Sequence, residues 1–200
     1  MTITNGYCTL AELKSRLWPA GTAPDTIEDT VLEAVITGTS RAIDGYVGRR
    51  FFTTAADETR YFKPINFDCV FPDDLISITT LKTDEDADRV FETTWAATDY
   101  ELLPYNAVLD GMPYNHIAVL PMGNYSFPCG YRSVQIVGKF GWATVPTAIN
   151  QACLIQAMRL FRRKDAPFGV VGGGEFGQAT TLANFDPDVK MLLAPFMRLV

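Results

Sequence analysis

The stretch IDGYVGRRFFTTAADETRYFK, residues 43–63, contains the point at which the sequence changes from one periodicity to another. Up to Gly48 the apolar residues recur at the three- and four-residue spacing of a helix, and after Phe51 they follow the shorter period of β-strands. Gly48 is the predicted end of the helix. The sequence therefore predicts an α+β fold in which an antiparallel β domain is inserted into a helical bundle.

Two helices are predicted before this point. Thr9-Leu10-Ala11-Glu12 has the pattern of a capping box, with Thr9 as N-cap and Glu12 reaching back to it. Asp25 is the predicted cap of a longer second helix of about 21 residues. Two adjoining apolar rows lie along it: Leu32, Ile36, Thr39, Ile43 and either Tyr46 or Val47 in one, and Ile27, Val31 and Val35 in the other. Gly38 in its middle predicts close contact with another helix.

The middle of the chain is predicted to form an antiparallel sheet or a small sandwich. Its five candidate strands are rich in β-branched and aromatic residues, and Asn, Asp, Gly and Pro separate them. These strands are residues 60–63, 75–81, 100–103, 116–120 and 133–140.

Helical spacing returns after Trp142, and Pro146 fits the first turn of a third helix. Basic residues crowd its last turns, where positive charge suits the helix dipole. These residues are Arg159, Arg162, Arg163 and Lys164.

Four segments follow from these patterns. We predict N-terminal helices of the helical core in 1–50, an inserted β-rich domain in 51–141 and the C-terminal helix of the core in 142–166. Residues 167–200 are predicted to form an extended tail, with a short terminal helix that docks on a partner.

The composition indicates a folded chain with an acidic balance. Apolar residues make up 48%, charged residues only 20% and aromatic residues 12%, with a net charge of -6. This charge argues against a broad basic surface for DNA or anionic lipid, and the low charge content indicates surface that is not meant for water. No apolar run is long enough to span a membrane, and no signal peptide is recognised. We therefore expect synthesis in the cytoplasm, with Cys8, Cys69, Cys129 and Cys153 reduced and mostly buried.

His116 is the only histidine, so a Ser-His-Asp or Cys-His site would have to use it. No GxSxG motif accompanies it. The preferred interpretation is a surface or edge-strand histidine, and no enzymatic activity is predicted. A small hydrolase that uses His116 is the enzymatic alternative.

Asp84, Glu85, Asp86 and Asp88 form an acidic run that could in principle bind a metal ion. The run lacks the glycine and the distal glutamate of an EF-hand loop, so it is interpreted as a solvated loop between strands. No metal ion or cofactor is predicted.

The stretch 168–177 is rich in glycine yet strongly apolar. A phosphate-binding loop would need a strand before it, whereas a predicted helix precedes this one. Phe168, Val170, Val171 and Phe176 are too apolar for a free linker, which favours a segment that orders on a partner. The basic cluster before it would then meet acidic groups of that partner. A local nucleic-acid contact and a solvated helix end are the alternatives.

Three parts of the sequence together resemble the head–tail connector (adaptor) proteins of long-tailed bacteriophages. Their order and spacing carry the resemblance. The parts are Thr9–Lys14 with Asp25–Phe51, which ends in IDGYVGRRF; Val145–Asp165, which ends in LFRRKD; and Gly173–Phe196, which contains GGEFG, DPDV and LLAPF.

The resemblance implies a non-enzymatic structural protein of the virion neck, assembled in the host bacterial cytoplasm and serving viral genome packaging. It implies a homo-oligomeric ring, usually a dodecamer, that sits below the portal protein and receives a stopper or tail protein at its other end. Double-stranded DNA would pass through the ring without sequence-specific contact. The channel is expected to be neutral to acidic, because tight phosphate contacts would slow the DNA. The predicted portal-binding residues are Arg162, Arg163, Phe168, Val170, Val171, Glu175 and Phe176.

The inserted β domain resembles that of longer members, since short members are almost all helical. Three roles are open for it: broadening the ring, contacting neighbouring subunits, or binding another neck or decorating protein. A different neck component, a stopper or a tail terminator, is the alternative within phage assemblies. Those proteins resemble mostly-β folds without flanking helices.

Overall fold

The computed structural model describes residues 2–18, 26–121, 123, 125–163 and 185–198. In these ranges the chain forms four α-helices, a short 3-10 helix and seven β-strands. It divides into two compact units, which we call the helical unit (Met1–Phe51 with Val145–Val200) and the β unit (Phe52–Thr144). The predicted α+β class with an antiparallel β domain is confirmed. None of the described helices combines the length and hydropathy that a membrane span requires.

The helices are α1 (Leu10–Leu17), α2 (Asp29–Val47), α3 (Thr147–Arg162) and α4 (Pro187–Leu193), and the 3-10 helix is Ala194–Phe196. The strands are β1 (Glu58–Phe62), β2 (Cys69–Val70), β3 (Leu75–Thr83), β4 (Thr93–Trp95), β5 (Tyr100–Leu103), β6 (His116–Val119) and β7 (Val134–Phe140).

The start of α1 is fixed by the predicted capping box. The Glu12 backbone N–H donates to Thr9 Oγ1 at 3.2 Å, and the Thr9 backbone N–H donates to Glu12 Oε2 at 2.7 Å. These bonds from Thr9 lower the pKa of Glu12 below its ordinary range, because they favour the charged carboxylate. The capping box is therefore confirmed.

One of the two predicted apolar rows is buried, and the other is exposed at Ile27 and Val31 and half-buried at Val35. Leu32, Ile36 and Ile43 are 0% exposed, as predicted. Ile27 and Val31 of the adjoining row are 83% and 50% exposed.

The ends of α2 differ in how well the sequence predicted them. The helix ends at Val47 before Gly48, whose φ of 71° is left-handed and whose N–H donates to Asp44 O at 2.8 Å. The other end has Glu28 at the N-cap without a side-chain cap, and the predicted cap, Asp25, lies outside the described residues. The prediction that Gly38 lies close to another helix is wrong within one chain, since a Cβ at Gly38 would meet no described atom within 4 Å.

Tyr7 joins the separate pieces of the helical unit. Its backbone N–H donates to Ser40 Oγ on α2 at 3.0 Å, and its carbonyl accepts from Asn150 Nδ2 on α3 at 3.0 Å. Its hydroxyl donates to the Asp44 carboxylate and accepts the Phe51 backbone N–H at 2.9 Å. Burial and the bond to Asp44 raise the pKa of Tyr7 far above its ordinary value, so the hydroxyl keeps its proton.

Helix α3 lies at the centre of the helical unit and contacts α1, α2 and α4. Arg159 on α3 pairs with Asp186 at 3.2 Å, and Asp186 caps α4 by accepting the Asp188 N–H at 3.1 Å. Val189 and Leu193 of α4 are 0% exposed. Helix α4 is therefore part of the packed core of this unit.

The β unit consists of two antiparallel sheets around one core. A four-stranded sheet has the order β1-β7-β3-β4, and a three-stranded sheet has the order β2-β6-β5. The ring of Trp95 stacks on Phe127, with centroids 4.6 Å apart. The buried core consists of Val70, Leu75, Leu81, Trp95, Ile117, Phe127, Val134, Ile136 and Phe140.

Gly141 marks the place where the chain leaves β7. Its φ is 101°, and a Cβ at this position would lie 1.9 Å from the carbonyl oxygen of Phe52. Its N–H donates to Asp74 O at 2.7 Å, and the next residue, Trp142, donates its indole N–H to Asp74 Oδ2 at 3.0 Å. Only glycine fits this turn, because the two chain segments touch there.

We expect Gly141→Ala to destabilise the β unit by about 2–4 kcal/mol more than Gly111→Ala does. Gly111 is the matched control, since its φ is also positive at 66° but a Cβ there would meet nothing within 4 Å. Chemical unfolding, monitored through tryptophan fluorescence, measures the difference in the free energy of unfolding between the two variants. Equal losses for the two variants would contradict the close approach of Phe52 to Gly141.

Candidate assembly surfaces

One long side of α2 is exposed and carries almost no charge. Five residues of α2 at spacings of three and four share this side, and Ile27, just before the helix, continues the spacing. We call these six residues the α2 outer face: Ile27, Val31, Ala34, Gly38, Ala42 and Gly45. A solvated helix normally presents polar and charged side chains on its outer side. The α2 outer face instead has the character of a surface that another element covers.

Arg41 is the charged residue nearest to the α2 outer face, and its guanidinium binds groups of its own chain. Its guanidinium donates to Asn5 O at 2.9 Å and pairs with Asp44 at 2.9 Å. From Ala34 to Gly45 the residues of the face are small, and Gly38 and Gly45 present bare backbone with open space where a Cβ would lie. Small side chains shorten the distance at which another helix can pack.

A second exposed apolar surface lies on the connection between β5 and β6, residues 104–115. The connection is internally hydrogen-bonded: the Met112 N–H donates to Ala107 O at 2.8 Å, and Ala107 is 1% exposed. Its exposed apolar residues are Tyr105 (69%), Val108 (69%), Leu109 (85%) and Met112 (54%). Large apolar side chains held outward on an ordered loop are typical of a contact surface.

The predicted portal-binding residues are only partly described. Arg162 is exposed and ends α3, and Arg163 follows it half-buried. Arg159 of the same basic cluster pairs with Asp186 inside the helical unit. The predicted residues Phe168, Val170, Val171, Glu175 and Phe176 lie outside the described residues.

His116 begins β6 and packs against Phe71, with ring centroids 4.4 Å apart. Its Nε2 is buried and has no hydrogen-bond partner among the described residues. Burial lowers its pKa, because the charged imidazolium is poorly solvated there. A nucleophilic site would need a nucleophile within hydrogen-bond reach of the imidazole, and no described residue supplies one at Nε2.

The acidic run is organised around Asp84, which is only 2% exposed although a solvated loop was expected. Its carboxylate accepts the backbone N–H groups of Ala87 at 2.7 Å and Arg89 at 3.0 Å. Carboxylate oxygens of Asp84, Asp86 and Asp88 lie within 4.8 Å of one another and could hold a cation. The bonds to Ala87 and Arg89 already explain why Asp84 is buried.

Comparison with known proteins identifies a shared architecture. No family model and no curated protein matches the sequence. The chain matches one in the neck of an empty gene transfer agent (GTA) particle computed with C6 symmetry, with a TM-score of 0.58 and 19% identity over 100% of this chain and 94% of that chain. It also matches a chain in the virion of a native GTA particle, with a TM-score of 0.56 and 17% identity over 100% and 94%. This chain shares the fold of a GTA neck chain.

Charge is distributed unevenly over this shared architecture. The helical unit has 11 lysine and arginine residues against 10 aspartate and glutamate residues, a net charge of +1. The β unit has 6 against 13, a net charge of -7. The acidic balance of the chain therefore belongs to the β unit.

The sequence interpretation did not identify either exposed apolar surface. It assigned Ile27 and Val31 to a packed stripe, because both fit the helical period of the buried row. The available signal was the lack of charge among the residues at spacings of three and four from Ile27 to Gly45. The connection between β5 and β6 was predicted as a turn from Pro104 and Gly111, and its apolar residues were not used.

We expect the β unit to lose stability as the pH falls from about 7.5 to 5, because of His116. The unfolded chain, with a histidine pKa near 6.5, binds the proton more readily than the folded chain, whose His116 pKa is lowered. His116→Phe keeps a ring against Phe71 and removes this component. Urea unfolding of both proteins across this pH range measures it, and parallel pH profiles would contradict the lowered pKa.

Proposed function

We propose that the chain is a structural head-to-tail adaptor of a tailed phage or phage-like particle, which forms a ring below the portal and extends the DNA channel. The observation that carries the proposal is the likeness to a GTA neck chain over 100% of this chain and 94% of that one. GTA particles are phage-like, and the sequence resemblance to adaptors at both ends of the chain points to the same position. In this role the protein belongs to the virion neck, is assembled in the host cytoplasm and has no enzymatic activity.

The α2 outer face supports the proposal of a ring. Side-by-side packing of neighbouring subunits would cover this uncharged face of the helical unit. The GTA neck was computed with C6 symmetry, which a ring of six or of twelve subunits satisfies. Twelve is the number implied by the resemblance to adaptors. Gly38 and Gly45 would let an element of the neighbouring subunit approach the α2 backbone.

The charge distribution supports placing the helical unit against the DNA. A channel lined by a unit of net charge +1 is nearly neutral, so it neither grips nor strongly repels phosphate groups. This net charge lies at the neutral end of the neutral-to-acidic range expected for the channel. The excess of acidic residues is not part of the proposed channel wall. The seven excess negative charges belong to the β unit.

The two ends of the ring would contact different proteins. We propose the portal as the partner of Arg162 and Arg163 together with Phe168, Val170, Val171, Glu175 and Phe176. The exposed connection between β5 and β6 would contact a stopper or tail protein. The mostly-β alternatives, a stopper or a tail terminator, are less well supported, because the described residues form four α-helices that belong to a separate unit.

We expect Gly38→Glu to abolish ring formation while leaving the subunit folded. Glutamate is a better helix former than glycine by roughly 0.5–1 kcal/mol, and open space surrounds Gly38. A charge placed on the α2 outer face would be buried without a partner in the ring. Native mass spectrometry with and without the cognate portal protein measures assembly, and wild-type subunits should form complexes with a multiple of six copies.

Ala11→Glu is the matched control, because Ala11 is an exposed residue of α1 and the substitution adds the same side chain. It should leave assembly unchanged. Rings of Gly38→Glu subunits that match wild type would exclude the α2 outer face as a subunit contact. Absence of any oligomer from wild-type protein on its portal would contradict the adaptor function itself.

We expect serine at all four apolar positions Phe168, Val170, Val171 and Phe176 to weaken portal binding at least about tenfold. The variant keeps α4, whose Val189 and Leu193 are buried in the helical unit, so its Tm should match that of wild type. Ile65→Ser in the β unit is the control, since Ile65 is 68% exposed and lies outside the residues proposed for the portal contact. Pull-down with the portal protein measures the loss, and unchanged binding would refute the portal contact.

A further inference from the structure

Two thiols meet in the core of the helical unit. Cys8 lies just before α1 and Cys153 lies in the middle of α3, and their sulfur atoms are 3.4 Å apart. The two residues are 4% and 0% exposed, and both thiols are free. Neither residue belongs to the surfaces that the proposed function uses. The sequence interpretation treated the four cysteines as separate reduced thiols and did not pair them.

We propose that Cys8 and Cys153 are a redox modification site, at which a hydroperoxide converts the two thiols into a reversible disulfide that staples the N-terminal segment to α3. A disulfide has a sulfur–sulfur distance of about 2.05 Å. The sulfur atoms therefore have to approach by roughly 1.4 Å, a distance that side-chain rotation can supply.

The backbone on both sides of Cys8 is held in place for this reaction. The preceding residue, Tyr7, is bound to Ser40 on α2 and to Asn150 on α3, each at 3.0 Å. The following residue, Thr9, is fixed by the capping box with Glu12. Asn150 and Cys153 are three residues apart on α3 and therefore share one side of the helix. The same contacts that fix the N-terminal segment thus align the two sulfur atoms.

The environment assigns different roles to the two thiols. Ser40 Oγ lies 3.6 Å from the Cys153 sulfur and can accept from it, because the Ser40 hydroxyl already donates to Ile36 O at 2.8 Å. The bond to Cys153 and burial raise the pKa of Cys8. In the proposed reaction Cys153 is the thiol that reacts with the peroxide as a thiolate, and Cys8, which keeps its proton more strongly, reacts second.

The reaction balances with one hydroperoxide. The Cys153 thiolate attacks hydrogen peroxide, breaks its O–O bond and becomes a sulfenic acid, while the leaving hydroxide takes up a proton and forms water. The Cys8 sulfur then attacks the sulfenic sulfur, loses its proton and displaces a second water molecule. Two thiols and one peroxide give one disulfide and two water molecules, and a dithiol reductant reverses the reaction.

The proposed disulfide would join two parts of the helical unit that lie on either side of the β unit in the chain. Cys8 and Cys153 are 145 positions apart in sequence, so the cross-link closes a long loop and strongly restricts the unfolded chain. A reducing cytoplasm keeps the pair as thiols, and oxidising surroundings favour the disulfide. If the proposed function holds, subunits would assemble reduced and become stapled after the particle leaves the cell.

Intact mass and peptide mapping of the full-length protein test the proposal. After hydrogen peroxide treatment we expect a cross-linked peptide pair containing Cys8 and Cys153, a mass of that pair about 2 Da below the sum of the two separate peptides, and a Tm higher by at least about 5 °C. Dithiothreitol should reverse all three changes. Cys129→Ser should still form the cross-link, because Cys129 is exposed and distant from the pair in the chain, whereas Cys8→Ser should not.

Measurements on the wild-type protein are sufficient to test the proposed disulfide, even if Cys8→Ser fails to fold. Cys129 serves as the internal gauge of oxidation, since its thiol is exposed and reacts first. Alkylation after unfolding counts the thiols that remain. The proposal is overturned if Cys8 and Cys153 are both still free when Cys129 is fully oxidised, or if either is found cross-linked mainly to Cys69 or Cys129. These results would leave the adaptor function untouched, because ring formation is measured separately.

Discussion

The hydrogen bonds of Tyr7 connect the two stretches of the helical unit that the inserted β unit separates in the sequence. The helical unit is made from two stretches of chain, one that ends at Phe51 and one that begins at Val145. Tyr7 binds the Phe51 backbone through its hydroxyl and Asn150 through its carbonyl, while its N–H binds Ser40 on α2. One buried residue thus holds both stretches in register, and the helices can pack although the chain between them is long. Each bond satisfies a polar group that burial would otherwise leave costly.

The β unit can be inserted because it has its own core and its own closing contacts. Its buried residues come from both sheets, and Trp95 packs between them on Phe127. At its C-terminal end Gly141 and Trp142 are bonded to Asp74 within the same unit. A unit with a complete core of its own can be inserted without changing how the helices pack. In the proposed adaptor, such a unit can vary while the helical ring contact stays the same.

Local patterns predicted the elements well and their surroundings poorly. The capping box at Thr9 and the stop at Gly48 depend on neighbouring residues in the chain, so the sequence alone specifies them. The exposure of Ile27 and Val31 depends on which side of α2 meets α3, and periodicity cannot distinguish two adjoining apolar rows. The short strands β2 and β4 have two and three residues, too few for a period to show. The pairing of Cys8 with Cys153 joins positions that only the tertiary structure brings together.

The separation of charge between the two units has a consequence for free subunits. Copies of a unit with net charge -7 repel one another in dilute solution, and salt screens this repulsion over a Debye length of about 8 Å at physiological ionic strength. The helical unit, with a net charge of +1, contributes little to this long-range force. Two free copies of the chain that meet at random are therefore repelled through their β units. In the proposed ring, this repulsion would keep subunits dispersed until a template aligned them, so electrostatics would help to set the timing of assembly.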